Sequence, residues 1–410
     1  MKHQNKIYCI ILVFLTLLGM WTIPALIKKA TYSPDNYPFV YYSSILNELM
    51  IVDYKDKKTP LSDQQGNKYT TAQFDSLMPL LNYRQLMADG RLPDSLGGYE
   101  LTPQLVRSKS VVFKYSPVEI QTPTKGLYIL FESMPKRVGL EMPEDVFRMK
   151  NNIEFIDAET NTINQAKSQQ FQQVLEKEGY NFPSQILAGN PNPRKPYDEG
   201  YFCLDSNGEL FHMKMVNGRP FVRNTHASDS INIAYFSILE VSDKRFYGFI
   251  FSQEGNIYIL EGNEGKYTPL KLDIPPIDIL QDQITIMGNL LYWTVWVNTP
   301  DGRSYYGLDS QTLKQLADYK VEKQNNKWDK VSKWMFPYYI TLEKQNSDYI
   351  YPQVYFTGLI GFSVNILLAI IGIIFLPANR NRKIFNTLYI LSTGIFGLVA
   401  ILLLPKYRKR

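Results

Sequence analysis

Cys203 and His212 are the two side chains of this 410-residue chain whose types and spacing could do chemistry together. The dipeptide Asn207-Gly208 between them suits a two-residue type I′ hairpin, because both central residues of that turn take positive φ. With that turn, residues whose numbers add to 415 face each other, so Cys203 and His212 become cross-strand neighbours on one face. Such a pair suits a soft metal site or an activated thiol. A structural zinc site needs four ligands. A packed cysteine beside a hydrogen-bonded histidine is therefore the plainer expectation, with no metal and no cofactor. The sequence carries no P-loop, no GxGxxG after a strand, no HExxH and no CxxC. A non-enzymatic protein is expected; the alternative is an envelope enzyme or metal-handling protein using Cys203 and His212.

A second group lies just upstream. Gly189-Asn190-Pro191-Asn192-Pro193-Arg194-Lys195-Pro196 holds three prolines and predicts an extended, exposed loop. Long loops on rigid scaffolds commonly carry recognition, so Arg194, Lys195, Tyr197, Asp198 and Glu199 are the expected interaction surface; a plain connector is an equal alternative. Met134-Pro135-Lys136-Arg137 could touch anionic lipid.

The elements that must position these residues repeat. Gly208, Gly255 and Gly302 recur every 47 residues. Six residues before each stands an aromatic (Phe202, Phe249, Trp296), and three after stands another (Phe211, Tyr258, Tyr305). Asn161 and Phe155 hold the glycine and leading-aromatic positions one period earlier. The period lies between those of WD40 and kelch units and predicts a β-propeller-like stack, with the aromatics packing neighbouring units together. Asp301-Gly302 also suits a type I′ turn. Helices are predicted over Ala72–Met87, interrupted by Pro79, and over Ala166–Gly179, with a helical turn at Met142–Phe147.

The net charge of +5 hides a division. All 39 acidic residues lie between Lys29 and Tyr351, and setting aside the 11 basic residues of the two ends leaves 33 basic ones there. The middle is an ordinary acidic globular region, and the basic excess flanks apolar ends, so nucleic-acid binding is not indicated. Residues 7–27, 354–376 and 384–404 are uncharged and long enough to be transmembrane α-helices. The first lacks a small-x-small cleavage site and reads as an uncleaved signal-anchor. The positive-inside count is five against six and does not orient the chain; the export-signal form of the start places the middle outside the cytoplasm. The expected organisation is a cytoplasmic start (1–6), the first span (7–27) and an extracytoplasmic β-rich domain (28–352). Within that domain, 31–150 is mixed and 151–345 carries the repeat. A second span (354–376), a basic loop (377–383), a third span (384–404) and a basic tail (405–410) complete it.

Three runs, Asp75–Leu86 with Gly90-Arg91-Leu92-Pro93-Asp94, Phe155–Asn161, and Asp198-Glu199-Gly200-Tyr201-Phe202, carry a resemblance across nearly the whole chain. It resembles an uncharacterised domain-of-unknown-function family of bacterial membrane-anchored proteins with one N-terminal and two C-terminal spans. The resemblance brings no assigned activity and no assigned catalytic residues. It implies a multi-pass bacterial membrane protein with ABC-transporter components as partners; with the export-signal reading of the start, the expected location is the bacterial inner membrane with the large domain in the periplasm. The fold class expected is mainly β, an irregular propeller-like repeat domain with a few helices plus three transmembrane helices. The function expected is a binding or scaffold module accessory to a transporter or other membrane assembly.

Overall fold

A computed structural model of the chain describes residues 2–58, 60–122, 126–263, 265–324, 326–342 and 349–404, with backbone alone for 2–5. Two compact units form: Met1–Asn36 with Lys323–Arg410, and Tyr37–Glu322. The chain opens with helix α1 (Lys2–Thr31), which belongs to the first.

The β-rich unit starts with a three-stranded antiparallel sheet, β1 (Phe39–Ser43), β2 (Glu48–Val52) and β3 (Leu61–Ser62). The predicted interrupted helix is two short ones, α2 (Thr71–Leu77) and α3 (Tyr83–Ala88), parted around Pro79. Thr70 and Gln73 form a capping box that starts α2. A small hairpin, β4 (Ser95–Leu96) and β5 (Tyr99–Glu100), precedes α4 (Pro103–Ser108), β6 (Val111–Tyr115) and α5 (Val118–Gln121). The hairpin β7 (Asp145–Met149) and β8 (Ile153–Asp157) comes next. Part of the helical turn predicted at Met142–Phe147 is therefore strand: Phe147 and Met149 alternate into the core, and pairing with β8 outweighs the local proline-and-acid signal. Helix α6 (Gln165–Lys177) is capped by Asn164 and ends before Gly179, whose φ is 88°.

Three meanders complete the unit. They are β9 (Ile186–Gly189) to β10 (Tyr201–Leu204), β11 (Leu210–Val216) and β12 (Arg219–Asn224); β13 (Ile233–Ile238) to β14 (Phe246–Ser252), β15 (Ile257–Asn263) and β16 (Lys266–Lys271); and β17 (Gln283–Gly288) to β18 (Tyr292–Thr299), β19 (Gly302–Asp309) and β20 (Gln315–Glu322). Each is antiparallel with strands in chain order, and β6 adds to the last beside β17. The three repeat glycines stand at the junction between the second and third strand of each meander. Asn161 takes the matching positive φ, 53°, after β8.

The repeat aromatics fill the layers between successive sheets. Phe202 packs with Phe236 and Ile250; Phe249 with Phe113 and Val295; Trp296 and Tyr305 with Val40 and Tyr42. On its other face the β9–β12 sheet packs Cys203, Phe211 and Met213 against Phe147, Phe155 and Phe171. Burying each such aromatic stabilises the stack by about 1.5–3 kcal/mol.

The other unit adds α7 (Lys327–Met335), the hairpin β21 (Tyr338–Thr341) and β22 (Gln353–Phe356), then α8 (Gly361–Phe375), α9 (Arg380–Thr393) and α10 (Ile395–Leu403). Within α1, Lys6–Thr31 is long and apolar enough to cross a membrane. The second expected span begins as strand β22, and its helix of 15 residues reaches about 22 Å. The third is two helices broken at Gly394, whose φ is 62°. A Cβ on Gly394 would meet Asn365 Oδ1 at 2.1 Å, and Asn365 Nδ2 donates to the Leu391 carbonyl at 3.1 Å, so one buried amide fits the break. Arg380, Arg382 and Lys383, expected in a loop, stand in the first turn of α9. The basic tail 405–410 lies outside the described residues. The β-rich unit ends at Glu322 and not at 352, because Trp328 and Phe336 bury with Met20 and Phe396 in the helical unit.

Candidate functional site

The strands carrying Cys203 and His212 pair one residue away from the predicted register. Phe202 faces His212, and Cys203 faces Phe211. The turn has three residues: the Asp205 amide donates to the Glu209 carbonyl at 3.0 Å, and Gly208 alone supplies the left-handed conformation, φ 81°. The cause is Asp205, fully buried, whose Oδ1 accepts from the amides of Asn207 (2.8 Å) and Glu209 (2.9 Å) and so holds the longer turn. A one-residue change of register sends partners to opposite faces. The β18–β19 turn departs from type I′ as well: Thr299 pairs with Gly302, leaving Pro300 and Asp301 at its centre.

Each member of the expected pair is accounted for where it lies. Cys203 is fully buried among apolar side chains, and burial pushes its thiol far above the usual range. His212 stacks on Phe202 at 4.4 Å between centroids. Its Nε2 lies 2.7 Å from the Glu199 carbonyl, which can only accept, so Nε2 carries the proton. Nδ1, 2.7 Å from Tyr267 Oη, accepts from the phenol. Burial lowers the histidine to about 3, helped by Lys214, so it is neutral and its 3.5 Å approach to the Glu199 carboxylate is not an ion pair. Among the described residues, no three His, Cys, Asp or Glu side chains group as a metal would require.

The second candidate group is not a uniformly exposed loop. Arg194 is exposed, Tyr197 and Glu199 are partly covered, and Lys195 and Asp198 are buried. Lys195 Nζ lies 2.5 Å from Asp198 and 2.9 Å from Glu240, and its ammonium stands 5.3 Å from the Phe131 ring centroid. Glu240 also accepts from Asn190 Nδ2 (2.9 Å) and the Glu199 amide (2.7 Å). Its carboxyl is nonetheless raised, chiefly by burial. Asp198 accepts from Ser133 Oγ at 2.6 Å and from the Gly200 amide at 3.1 Å. The triad is thus hydrogen-bonded on every member, as a buried ion cluster must be.

Lys195 and Asp198 of that cluster line a cleft of about 440 Å³ between the 193–198 loop and the 133–140 loop. The base of the latter is clamped: Glu132 accepts from the amides of Asn217 and Gly218, both at 2.8 Å, and the Ser133 amide donates to the Met215 carbonyl at 2.9 Å. Beyond the clamp the tip turns outward, with Met134 and Val138 strongly exposed beside exposed Lys136 and Arg137. Arg137 and Arg194 both line the cleft. Glu132 and Glu240 were not legible as site residues. Glu240 meets Lys195 from 45 positions away, and nothing local marks it.

Antiparallel meanders stacked face to face through repeat aromatics define a β-propeller-like domain. The chain belongs to the family described as a domain of unknown function (DUF4857), whose model matches residues 39–308. Among solved structures, the Dos1 propeller matches with a TM-score of 0.27 and 10% identity, covering 51% of this chain and 48% of that one. The N-terminal domain of Nup159 matches at 0.22 and 10%, covering 48% and 47%. The chain thus spans about half the length of each. A comparison with curated proteins finds no match.

Proposed function

We propose that the chain is a membrane-tethered binding module whose propeller-like unit offers the 133–140 and 193–198 loops to an acidic, partly apolar segment of a partner protein. The observation that carries this is the loop pair itself: a base clamped by Glu132 and Asp198, and a tip presenting Met134, Val138 and Arg137. Recognition loops need that combination of rigid support and exposed contact groups.

Membrane embedding of the helical unit is part of the same reading. Ile10 and Phe14 on α1, Leu367 and Ile374 on α8, Leu388 on α9 and Leu403 on α10 all face outward. An apolar surface of that kind suits lipid and not water. In this reading α1 spans, with α8 and the α9–α10 pair beside it in a bacterial inner membrane. The β-rich unit lies in the periplasm, and the partner is a membrane assembly, an ABC transporter being the expectation that the resemblance supplies. Extraction in a mild detergent recovers the partner stoichiometrically with the wild-type chain and not with R137E/R194E. Recovery of a lone chain from intact membranes, or equal recovery with the variant, overturns the reading.

A further inference from the structure

The helical unit contains a cleft of about 710 Å³ that the binding reading leaves unused. Trp21, Pro24 and Ala25 of α1 form one wall, and Trp328 and Ile340 form another. Lys28 and Lys29, in the last turn of α1, also line it. The Lys28 ammonium stands 5.8 Å from the Tyr32 ring centroid, and Lys29 is exposed. Among the described residues that line the cleft, none is acidic. Apolar and aromatic walls beneath two cations are complementary to an amphiphile with a negative head, and the volume is that of a small-molecule site. Lys28 and Lys29 follow the apolar run of α1 directly, so in an embedded helix they stand at headgroup depth while Trp21 and Ala25 face the level of the upper acyl chain. We infer that this cleft binds one anionic phospholipid, its phosphate on Lys28 and Lys29 and an acyl chain against Trp21, Ala25 and Trp328.

The inference rests on membrane embedding, so a carbonate wash of membranes comes first. Release of the chain in that wash fails the embedding reading, and it is read separately from lipid preference. The retained full chain is then relipidated with equal amounts of dioleoylphosphatidylglycerol and dioleoylphosphatidylcholine, delipidated mildly and weighed by native mass spectrometry. Wild type keeps one phosphatidylglycerol in roughly tenfold preference over phosphatidylcholine, and K28Q/K29Q brings the ratio close to unity. K327Q/K330Q, which removes basic residues that do not line the cleft, leaves the ratio unchanged. Ala25→Trp, filling the cleft, removes the retained lipid even if the lysine variant fails to accumulate. No preference in wild type, an equal loss in both lysine variants, or lipid retained by Ala25→Trp overturns the inference.

Discussion

Cys203 and His212 stand on paired strands yet face opposite sides of their sheet, the cysteine into the layer with Phe147 and Phe155 and the histidine onto Phe202. No thiol–imidazole pair forms. The buried thiol, with its raised pKa, has neither the thiolate nor the access that labelling needs. In a Cys9→Ser background at pH 7.5, Cys203 should therefore resist a maleimide in the native chain and react fully in denaturant. Native labelling at the rate of a free thiol would contradict the burial.

His212 should make stability acid-sensitive. Its folded pKa, about 3, lies below the unfolded value near 6.5, so the unfolded chain binds the extra proton as pH falls. The contribution of the neutral ring is complete above 6.5 and declines between there and about 3, by roughly 1.4 kcal/mol per pH unit at most. Urea midpoints of the full chain, monitored by tryptophan fluorescence from pH 7 to 5, should fall in wild type. His212→Gln should be less stable at pH 7 but lose less on acidification. Parallel slopes for the two proteins would show that the ring is not buried neutral.

Two of the repeat glycines should differ sharply. Gly208 and Gly255 have nearly the same conformation, φ 81° and 83°. A Cβ on Gly208 meets nothing within 4 Å, whereas on Gly255 it meets the Ile277 carbonyl at 2.1 Å. Gly208→Ala should cost about 1–2 kcal/mol, the penalty of left-handed backbone. Gly255→Ala should cost at least ~1–3 kcal/mol more, because a backbone carbonyl must move. Equal denaturation midpoints would mean the 276–278 segment yields freely.

Much of the fold was legible because the period of 47 is carried by strong local signals. A glycine in a turn and an aromatic at a sheet interface each leave a mark on the sequence. The register was not legible, since Asn207-Gly208 fits two turn lengths and a buried Asp205 chooses between them. Nor was the place of β6, which joins β17 from far away in the chain. The loop before Tyr201 looked exposed from its prolines. Lys195 is buried there because Glu240, from another sheet's connection, supplies the charge that lets it be. Pairings between distant residues decide such points, and composition within a window does not contain them.

The ion cluster tests long-range pairing most sharply. Lys195 balances two buried carboxylates, and Asn190, Ser133 and two backbone amides complete the hydrogen bonds. Removing the cation leaves Asp198 and Glu240 facing each other, so Lys195→Met should destabilise the chain by about 3–5 kcal/mol at pH 7. Glu240→Gln keeps the shape and some of the hydrogen bonds, and should cost less, about 1–3 kcal/mol. In K195M/E240Q one charge is gone along with its partner, so the double variant should be more stable than K195M alone. A double-mutant cycle on urea midpoints measures this, and its interaction free energy should be about 1–3 kcal/mol in favour of the pair. Strict additivity would mean that water reaches the cluster and that Lys195 holds the loop by its methylene stem alone.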